Sequence, residues 1–253
     1  MTVYFIGAGP GDPELITVKG QRLIRSCPVI LYAGSLVPPA VLEGHSAERV
    51  VNTAELNLDE IVALLAQAHG EGKDVARVHS GDPSLYGAIG EQIRHLRERG
   101  IAYEIVPGVT ATSACAAILG CELTLPDISQ TLILTRYASK TRMPEGESLA
   151  ELAQHRATLA IHLGVGQLAN IVAELLPHYG ADCPIAVIHR ASWPDQDQVT
   201  GTLGDILPKA QAKGFKRTAL ILVGKVLGAE GFADSSLYSA GHAHLYRSSS
   251  STE

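Results

Sequence analysis

A glycine-rich turn near the start of the chain has the residue types of a ligand-binding loop. Residues 7–13 read Gly-Ala-Gly-Pro-Gly-Asp-Pro and directly follow an apolar run at 3–6. Glycines after a strand let the backbone approach a ligand closely, as in dinucleotide sites. However, Asp12 stands where the dinucleotide fingerprint has its third glycine, and Pro10 has no N–H to offer a phosphate. The turn therefore predicts a ligand site, but not one for a dinucleotide.

Two further loops have the same character. Ser-Gly-Asp-Pro at 80–83 and Pro-Gly-Val-Thr at 107–110 each contain a glycine, and each follows an apolar run. Open α/β sheets bind ligands at the carboxyl ends of their strands, so we expect the three loops to form one site. Within the second loop, Asp82 offers a carboxylate suited to a hydroxyl or an ammonium group. Any one of these loops alone is also typical of an ordinary strand-to-helix turn.

Short apolar runs that alternate with helical patterns predict the elements that position these loops. The predicted strands are 3–6, 29–32, 75–79, 102–106, 131–135, 159–163, 185–189 and 219–223. The predicted helices are 17–25, 58–69, 84–99, 110–119, 167–178 and 203–213. We therefore predict two α/β domains, at 1–120 and 121–235, with a ligand cleft between them, followed by a flexible tail at 236–253.

Composition excludes several classes of protein. The net charge of −6 argues against general nucleic-acid binding, which needs a basic surface. The chain has neither an apolar run that could span a bilayer nor a basic-then-apolar leader, which predicts a soluble cytoplasmic enzyme without membrane contact. The cysteines are scattered and predict isolated buried thiols rather than a metal site: Cys27, Cys115, Cys121 and Cys183.

The three loops together resemble the tetrapyrrole methylases, S-adenosylmethionine-dependent enzymes that modify uroporphyrinogen and precorrins. Residues 7–13, 80–83 and 107–110 match the three N-terminal signatures of that family in order, and the resemblance covers about residues 2–228. Motifs at 31–37, 123–131 and 190–195 are most similar to members that methylate precorrin-4 at C-11, giving precorrin-5 in cobalamin biosynthesis. Relatives are typically homodimers, so the resemblance also implies a homodimer.

The resemblance implies a class III methyltransferase-like fold with S-adenosylmethionine in the cleft between the two α/β domains, leaving as S-adenosylhomocysteine. Matched position by position, the cofactor contacts are Pro10, Ser80, Gly81, Asp82, Leu85, Thr110, Ala111, Leu163 and Ala191. Many relatives have glycine at position 80 and methionine at 163, which favours backbone contacts there. A sulfonium cofactor has no pyrophosphate, so Pro10 and Asp12 suit it.

The implied substrate is a macrocycle that carries many carboxylates. Arg136, Lys140 and Arg142 follow the predicted strand 131–135, and Arg190 follows another strand at the same predicted edge. We predict that they bind the propionate and acetate groups through charge-assisted hydrogen bonds; a solvated basic loop is the alternative. The candidates for a general base are Asp82 and His79.

Two functions from other classes stay open from the sequence. A nicotinamide-dependent oxidoreductase is disfavoured by Pro10, Asp12 and the lack of an acidic residue after the run 29–32. A non-catalytic S-adenosylmethionine sensor is weakened by the basic cluster at the same predicted edge. Within the family, the alternatives are methylases of uroporphyrinogen III, of cobalt-precorrin-4 or of RNA ribose. For Trp193, the sequence leaves open whether it covers the cleft or anchors its own loop.

Overall fold

The structure, a computed structural model, describes residues 1–138, 141–235, 237, 242–243 and 245. Most of the predicted tail at 236–253 therefore lies outside the described residues. The chain forms two compact units, the first comprising Met1–Cys115 with Arg190–Asp197, and the second Ala116–His189 with Gln198–Glu253. The short segment Arg190–Asp197 thus groups with the first unit, although the continuous ranges expected from the sequence did not include it there.

The first unit contains a five-stranded sheet. Its strands are β1 (Thr2–Gly7), β2 (Val29–Tyr32), β3 (Arg49–Asn52), β4 (Val75–His79) and β5 (Ala102–Val106), in the order β3-β2-β4-β1-β5. All neighbouring strands are parallel. Because parallel strands end at the same edge, the loops that follow β1, β4 and β5 must lie side by side, as the sequence predicts.

Helices flank both faces of this sheet. They are α1 (Val18–Ser26), α2 (Leu58–Gly70), α3 (Gly90–Glu98) and α4 (Ala111–Leu119), the last of which begins in the first unit and ends in the second. Successive strand residues point to opposite faces, so Phe5 packs in one apolar cluster with α2 and α3, and Ile6 packs in the other with α1. Burial on both faces explains why the inner strands β1, β2 and β4 are largely apolar.

The start of α3 corrects the sequence analysis. A helix was predicted over 84–99, but the structure has α3 at Gly90–Glu98 only. The reason is the backbone before it, where Tyr86 and Ala88 have φ angles of 57° and 49°. This left-handed conformation is incompatible with a continuing right-handed helix. Residues 84–89 therefore form part of the loop after β4.

The second unit contains a mixed sheet. Its strands are β6 (Leu132–Arg136), β7 (Thr158–His162), β8 (Pro184–His189), β9 (Asp197–Thr202) and β10 (Ala219–Val223), in the order β6-β7-β10-β8-β9. Helices α5 (Leu149–Ala153), α6 (Leu168–Tyr179) and α7 (Ile206–Lys213) complete it, and side chains such as Ile161, Ile171 and Ile185 form its core.

The strand directions in this sheet place three strand ends together. Strand β6 is parallel to β7, while β10 is antiparallel to both β7 and β8. Strands β6, β7 and β8 therefore run in the same direction and end at the same edge. Two sheets with flanking helices confirm the α/β class. Among the described residues, no helix combines the length and apolarity needed to cross a bilayer.

Candidate functional site

Three glycines, one from each predicted loop, meet at the carboxyl edge of the first sheet. A Cβ atom added to Gly7 would lie 2.6 Å from the Cα of Gly108 and 2.6 Å from the carbonyl oxygen of Gly81. A Cβ on Gly108 would overlap the same carbonyl oxygen. Real Cβ atoms do not approach backbone this closely, so only glycine fits at Gly7 and Gly108. The loops expected to share one site are therefore in direct contact.

The opening loop extends the pairing of β1 with β4. The N–H of Ala8 donates to the carbonyl of His79 at 2.8 Å, and the N–H of Gly81 donates to the carbonyl of Gly9 at 2.7 Å. Gly9 and Gly81 have φ angles of 78° and 62°, a region that glycine adopts without a steric penalty. These bonds fix the first two loops relative to each other.

The carboxylate of Asp82 connects the second loop to the third. Its Oδ2 accepts the N–H of Gly108 at 2.9 Å, and its Oδ1 accepts the N–H of Ser84 at 2.8 Å. Backbone donors therefore occupy both oxygens, although each oxygen keeps a second lone pair. This arrangement gives Asp82 a structural role in holding the loops together; its contact with a cofactor and its role as a base stay predictions.

The third loop leads directly into α4. Oγ1 of Thr110 accepts the N–H of Ser113 at 3.1 Å, which satisfies one of the free donors of the first helical turn. Gly7, Gly81 and Gly108 are called the glycine edge below. Thr110 and Ala111 are half-buried and follow Gly108 in the chain. The cofactor residues expected in the second loop, Ser80, Gly81, Asp82 and Leu85, are half-buried as well, whereas Pro10 is buried.

The segment 190–197 contacts the opening loop, a contact that no sequence pattern predicts. Nε1 of Trp193 donates to the carbonyl of Pro10 at 2.8 Å, and Oγ of Ser192 accepts the N–H of Asp12 at 3.0 Å. Trp193 therefore packs on the opening loop rather than only anchoring its own segment. The predicted cofactor residue Ala191 is buried between Arg190 and Ser192.

A buried polar pair lies in β4, just before the second loop. Burial lowers the pKa of Arg77 to about 10. Its Nε donates to Oε1 of Gln92 and its Nη1 to Oγ1 of Thr53, both at 3.1 Å. Burial, with a smaller contribution from the charge of Arg77, lowers the pKa of His79 to about 3. His79 is therefore neutral near pH 7, and its ring packs 5.9 Å from that of Phe5.

The sequence analysis did not single out Arg77. The only available signal was a charged residue inside a strand that is apolar apart from its last residue, His79.

The predicted substrate-binding arginines follow strands whose ends share an edge of the second sheet. Arg136 ends β6, Leu163 directly follows β7 and Arg190 directly follows β8. Leu163 and Arg190 have φ angles of 55° and 46°, and the side chain of Leu163 is 67% exposed. Non-glycine residues with such positive φ angles are frequent at ligand sites, because this conformation persists only where the surroundings impose it.

Arg136 also organises the loop that carries Arg142. Its Nη1 donates to the carbonyl of Thr141 at 3.3 Å, and its Nη2 donates to the carbonyl of Arg142 at 2.9 Å. Arg142 itself is exposed, whereas Lys140, the third member of the predicted cluster, lies outside the described residues. These two bonds use two of the five N–H groups of the guanidinium.

A cavity of about 340 Å³ adjoins this loop in the second unit and is lined in part by Tyr137, Arg142 and Glu174. The hydroxyl of Tyr137 donates to Oε1 of Glu174 at 2.5 Å. Burial, together with this hydrogen bond, raises the pKa of Tyr137 to about 12. Among the described lining residues, one arginine and one carboxylate therefore carry opposite charges.

Comparisons with known proteins agree with the resemblance. Residues 2–207 match the family described as Tetrapyrrole (Corrin/Porphyrin) Methylases. The chain is 83% identical over 247 residues to the precorrin-4 C(11)-methyltransferase of Pseudomonas aeruginosa, covering 98% of this chain and 99% of the relative.

Solved structures give the same result. The X-ray structure of CbiF, a cobalt precorrin-4 methyltransferase of cobalamin biosynthesis, matches with a TM-score of 0.87 at 42% identity, over 90% of this chain and 96% of that one. The uroporphyrin-III C-methyltransferase of Thermus thermophilus, solved with S-adenosylhomocysteine, matches with a TM-score of 0.74 at 31% identity, over 90% and 99% of the two chains.

Proposed function

Because the chain belongs to the tetrapyrrole (corrin/porphyrin) methylases, and is thus a methyltransferase, we propose that it uses S-adenosylmethionine to methylate precorrin-4 at C-11, giving precorrin-5. The observation that carries the proposal is the contact among Gly7, Gly81 and Gly108 at one sheet edge. It brings together the three loops whose sequences match the family signatures. The 83% identity to a precorrin-4 C(11)-methyltransferase supports the choice of substrate.

The glycine edge fits the proposed cofactor. Its three loops contain glycines that bring their backbones close together, and Pro10 and Asp12 make it unsuitable for a pyrophosphate. S-adenosylmethionine supplies, when bound, a methyl group activated by its positive sulfonium. The carboxylates of Asp12 and Asp82 give this edge a negative charge that suits a cationic ligand. We propose that Pro10, Ser80, Gly81, Asp82, Leu85, Thr110, Ala111, Leu163 and Ala191 hold the cofactor.

The contribution of the chain to the reaction is positional. Holding two reactants in the reactive geometry can supply about 7–11 kcal/mol of a barrier. Asp82 acts here by fixing the second and third loops to each other. His79 is buried at the end of β4, directly before the second loop. His79 is buried and neutral near pH 7, whereas Asp82 is only half-buried, so of the two candidates for a general base Asp82 is the more accessible to a ligand.

We propose that Arg136, Lys140, Arg142 and Arg190 bind the carboxylates of the macrocycle. Arg136 and Arg190 directly end or follow strands that share an edge, and arginine binds carboxylates through two parallel hydrogen bonds. The likeness to CbiF favours one second candidate, the methylation of cobalt-precorrin-4. The two substrates differ by the metal, and the reaction at carbon would be the same.

Two binding titrations and one assay test the proposal. Calorimetry with S-adenosylhomocysteine and with NAD should show binding of the first only; tight binding of NAD would overturn the proposal. Methyl transfer should then be measured on precorrin-4, cobalt-precorrin-4 and uroporphyrinogen III. Transfer to precorrin-4 with the highest kcat/KM supports the main proposal. S-adenosylhomocysteine binding without transfer to any of the three would instead indicate a sensor.

We further propose that the enzyme is a cytoplasmic homodimer. The location rests on the lack of a bilayer-spanning apolar run in the sequence, and the dimer rests on the resemblance to relatives and on the general preference for two-fold assembly. Light scattering after size-exclusion chromatography measures the mass directly, and a monomeric mass would contradict the dimer.

A further inference from the structure

Trp193 is attached to the centre of the opening loop. It is the only tryptophan of the chain. Its indole N–H donates to the carbonyl oxygen of Pro10 at 2.8 Å. A Cβ atom on Gly11 would overlap the indole ring, so the ring lies directly against the backbone of that glycine. Pro10 and Gly11 are both buried. The indole thus fixes the peptide between them through one hydrogen bond and one packing contact.

Other residues of the same segment hold the indole in place. The guanidinium carbon of Arg190 lies 4.0 Å from the centroid of the Trp193 ring, a cation–π contact. Nε of Arg190 is also 2.8 Å from Oδ1 of Asp195, an ion pair without hydrogen-bond alignment. The backbone N–H of Trp193 donates to the carbonyl of Arg190 at 3.0 Å. The ring is therefore enclosed between Arg190 on one face and the opening loop.

A second link joins the same two segments. Oγ of Ser192 accepts the N–H of Asp12 at 3.0 Å, and the N–H of Ser192 donates to Oε1 of Gln196 at 2.8 Å. Ser192 has a φ angle of 66°, a conformation that persists in non-glycine residues only where the surroundings impose it. The opening loop is thus bound on one side by Gly81 and on the other by Ser192 and Trp193.

We infer that Trp193 is a positioning residue for the methyl donor: by holding Pro10 and Gly11, it sets the opening loop in its ligand-binding conformation before the ligand arrives. The inference rests on the proposed function, which assigns Pro10 to the cofactor. A glycine-rich loop loses conformational freedom when a ligand orders it. A loop that is already ordered does not incur this loss on binding, so its affinity is higher.

The substitution Trp193→Phe tests this role, because it keeps an aromatic side chain next to Gly11 but removes the N–H donor and shortens the ring system. Tyr179→Phe is the matched control, since the Tyr179 hydroxyl likewise donates to a backbone carbonyl, that of Ala157, at 2.6 Å in the second unit. We expect Trp193→Phe to raise the dissociation constant of S-adenosylhomocysteine about tenfold, or about 1.4 kcal/mol. Tyr179→Phe should leave this constant unchanged.

Ser192→Ala provides an independent second variant. It removes the acceptor of the Asp12 N–H and should weaken S-adenosylhomocysteine in the same direction, by a few-fold. Because it retains Trp193, fluorescence reports whether the segment is still folded. In the wild-type protein, acrylamide should quench Trp193 weakly even without ligand, and S-adenosylhomocysteine should change this quenching little, because the loop is already set.

Three results would overturn the inference. The first is an unchanged dissociation constant in Trp193→Phe, and the second is an equal loss of affinity in Trp193→Phe and Tyr179→Phe. The third is strong quenching of Trp193 in the free protein that falls only when S-adenosylhomocysteine is added, since the loop would then order on binding. A folded wild-type protein that does not bind S-adenosylhomocysteine would overturn the proposed function itself, and the inference with it.

Discussion

The backbone N–H of Gly108 donates a hydrogen bond to Oδ2 of Asp82, at an N···O distance of 2.9 Å. The two residues lie in loops that follow different strands, and their contact holds these loops at one edge of the first sheet. The Asp82 carboxylate therefore has a structural role, because it holds the two loops of the site together, in addition to any contact it makes with a ligand.

Replacing Asp82 with asparagine should weaken cofactor binding. The amide has one acceptor oxygen, so either Gly108 or Ser84 would face an NH₂ group instead of an acceptor. We expect a loss of about 1–3 kcal/mol of stability, with at least a tenfold rise in the S-adenosylhomocysteine dissociation constant. Calorimetry and urea unfolding measure the two effects.

Asp74→Asn is the control for this prediction. Oδ1 of Asp74 accepts the N–H of Thr2 at 2.7 Å, beside the opposite end of the same strands. It makes the same change of charge, but its amide oxygen can still accept the Thr2 N–H, so it should cost little stability and leave ligand affinity unchanged. If both variants bind S-adenosylhomocysteine as tightly as the wild type, Asp82 does not build the site.

A methyl group at Gly7 should disrupt the glycine edge. In Gly7→Ala, the new Cβ would lie 2.6 Å from backbone atoms of Gly108 and Gly81, and the loops would have to separate. We expect a loss of about 1–3 kcal/mol in stability, as for other overpacked positions, and no measurable binding of S-adenosylhomocysteine. Thermal unfolding and calorimetry test both.

Gly70→Ala is the matched substitution, because no atom lies within 4 Å of its added Cβ at the end of α2. It should be neutral or stabilise the protein by up to about 1 kcal/mol. Unimpaired ligand binding by Gly7→Ala would show that the close contact of the loops is not required.

Removing the guanidinium of Arg136 should separate substrate binding from cofactor binding. Arg136→Ala loses a candidate carboxylate ligand and the two hydrogen bonds that order the loop with Arg142. Hydrogen bonds to charged groups contribute about 1.5–3 kcal/mol, so the KM for the tetrapyrrole should rise at least tenfold. The affinity for S-adenosylhomocysteine should stay the same.

Arg217→Ala makes the same change of charge at an exposed position in the second unit and should leave KM unchanged. An equal loss of substrate and cofactor affinity in Arg136→Ala would contradict a carboxylate-binding role.

Stability should fall as the pH drops below 6.5. Burial, with the charge of Arg77, lowers the pKa of His79 from 6.5 to about 3, and burial lowers that of His162 from 6.5 to about 4. At a pH below 6.5 but above these lowered pKa values, the two histidines bind protons in the unfolded chain and not in the folded chain. The stabilisation is therefore complete above pH 6.5 and decreases towards pH 4, by on the order of 3 kcal/mol for each histidine.

Urea unfolding at a series of pH values measures this slope. His79→Phe removes one titrating group, and it also removes a buried nitrogen without a hydrogen-bond partner among the described residues. The slope between pH 6.5 and 4 should therefore become smaller. His155→Ala changes an exposed histidine and should leave the slope intact. Identical slopes in His79→Phe and the wild type would contradict the buried, neutral state.

Apolar runs predicted most strands of both sheets, because a strand that is buried on both faces consists mainly of apolar residues. The run 219–223 predicted β10 with its observed bounds. Strands β3 and β9 were not predicted, because their side chains alternate between partly buried and exposed and include charged or polar residues. It also placed the start of α3 too early, because no residue pattern indicated the left-handed backbone at Tyr86 and Ala88.

The parts of the site that depend on local sequence, namely the three glycine loops, could be predicted. The three glycine loops follow parallel strands, so their meeting at one edge follows from topology. The bond from Trp193 to Pro10 joins residues 183 positions apart, and no local pattern encodes such a contact. The same holds for Arg77, whose partners Gln92 and Thr53 come from other elements.

The most direct test of the central claim is methyl transfer to precorrin-4. The wild-type protein should be incubated with S-adenosylmethionine and precorrin-4, and the product analysed by mass spectrometry and NMR. The product should carry one additional methyl group at C-11, and an equal amount of S-adenosylhomocysteine should form. Methylation of uroporphyrinogen III but not of precorrin-4, or no transfer to precorrin-4 by protein that binds S-adenosylhomocysteine, would contradict it.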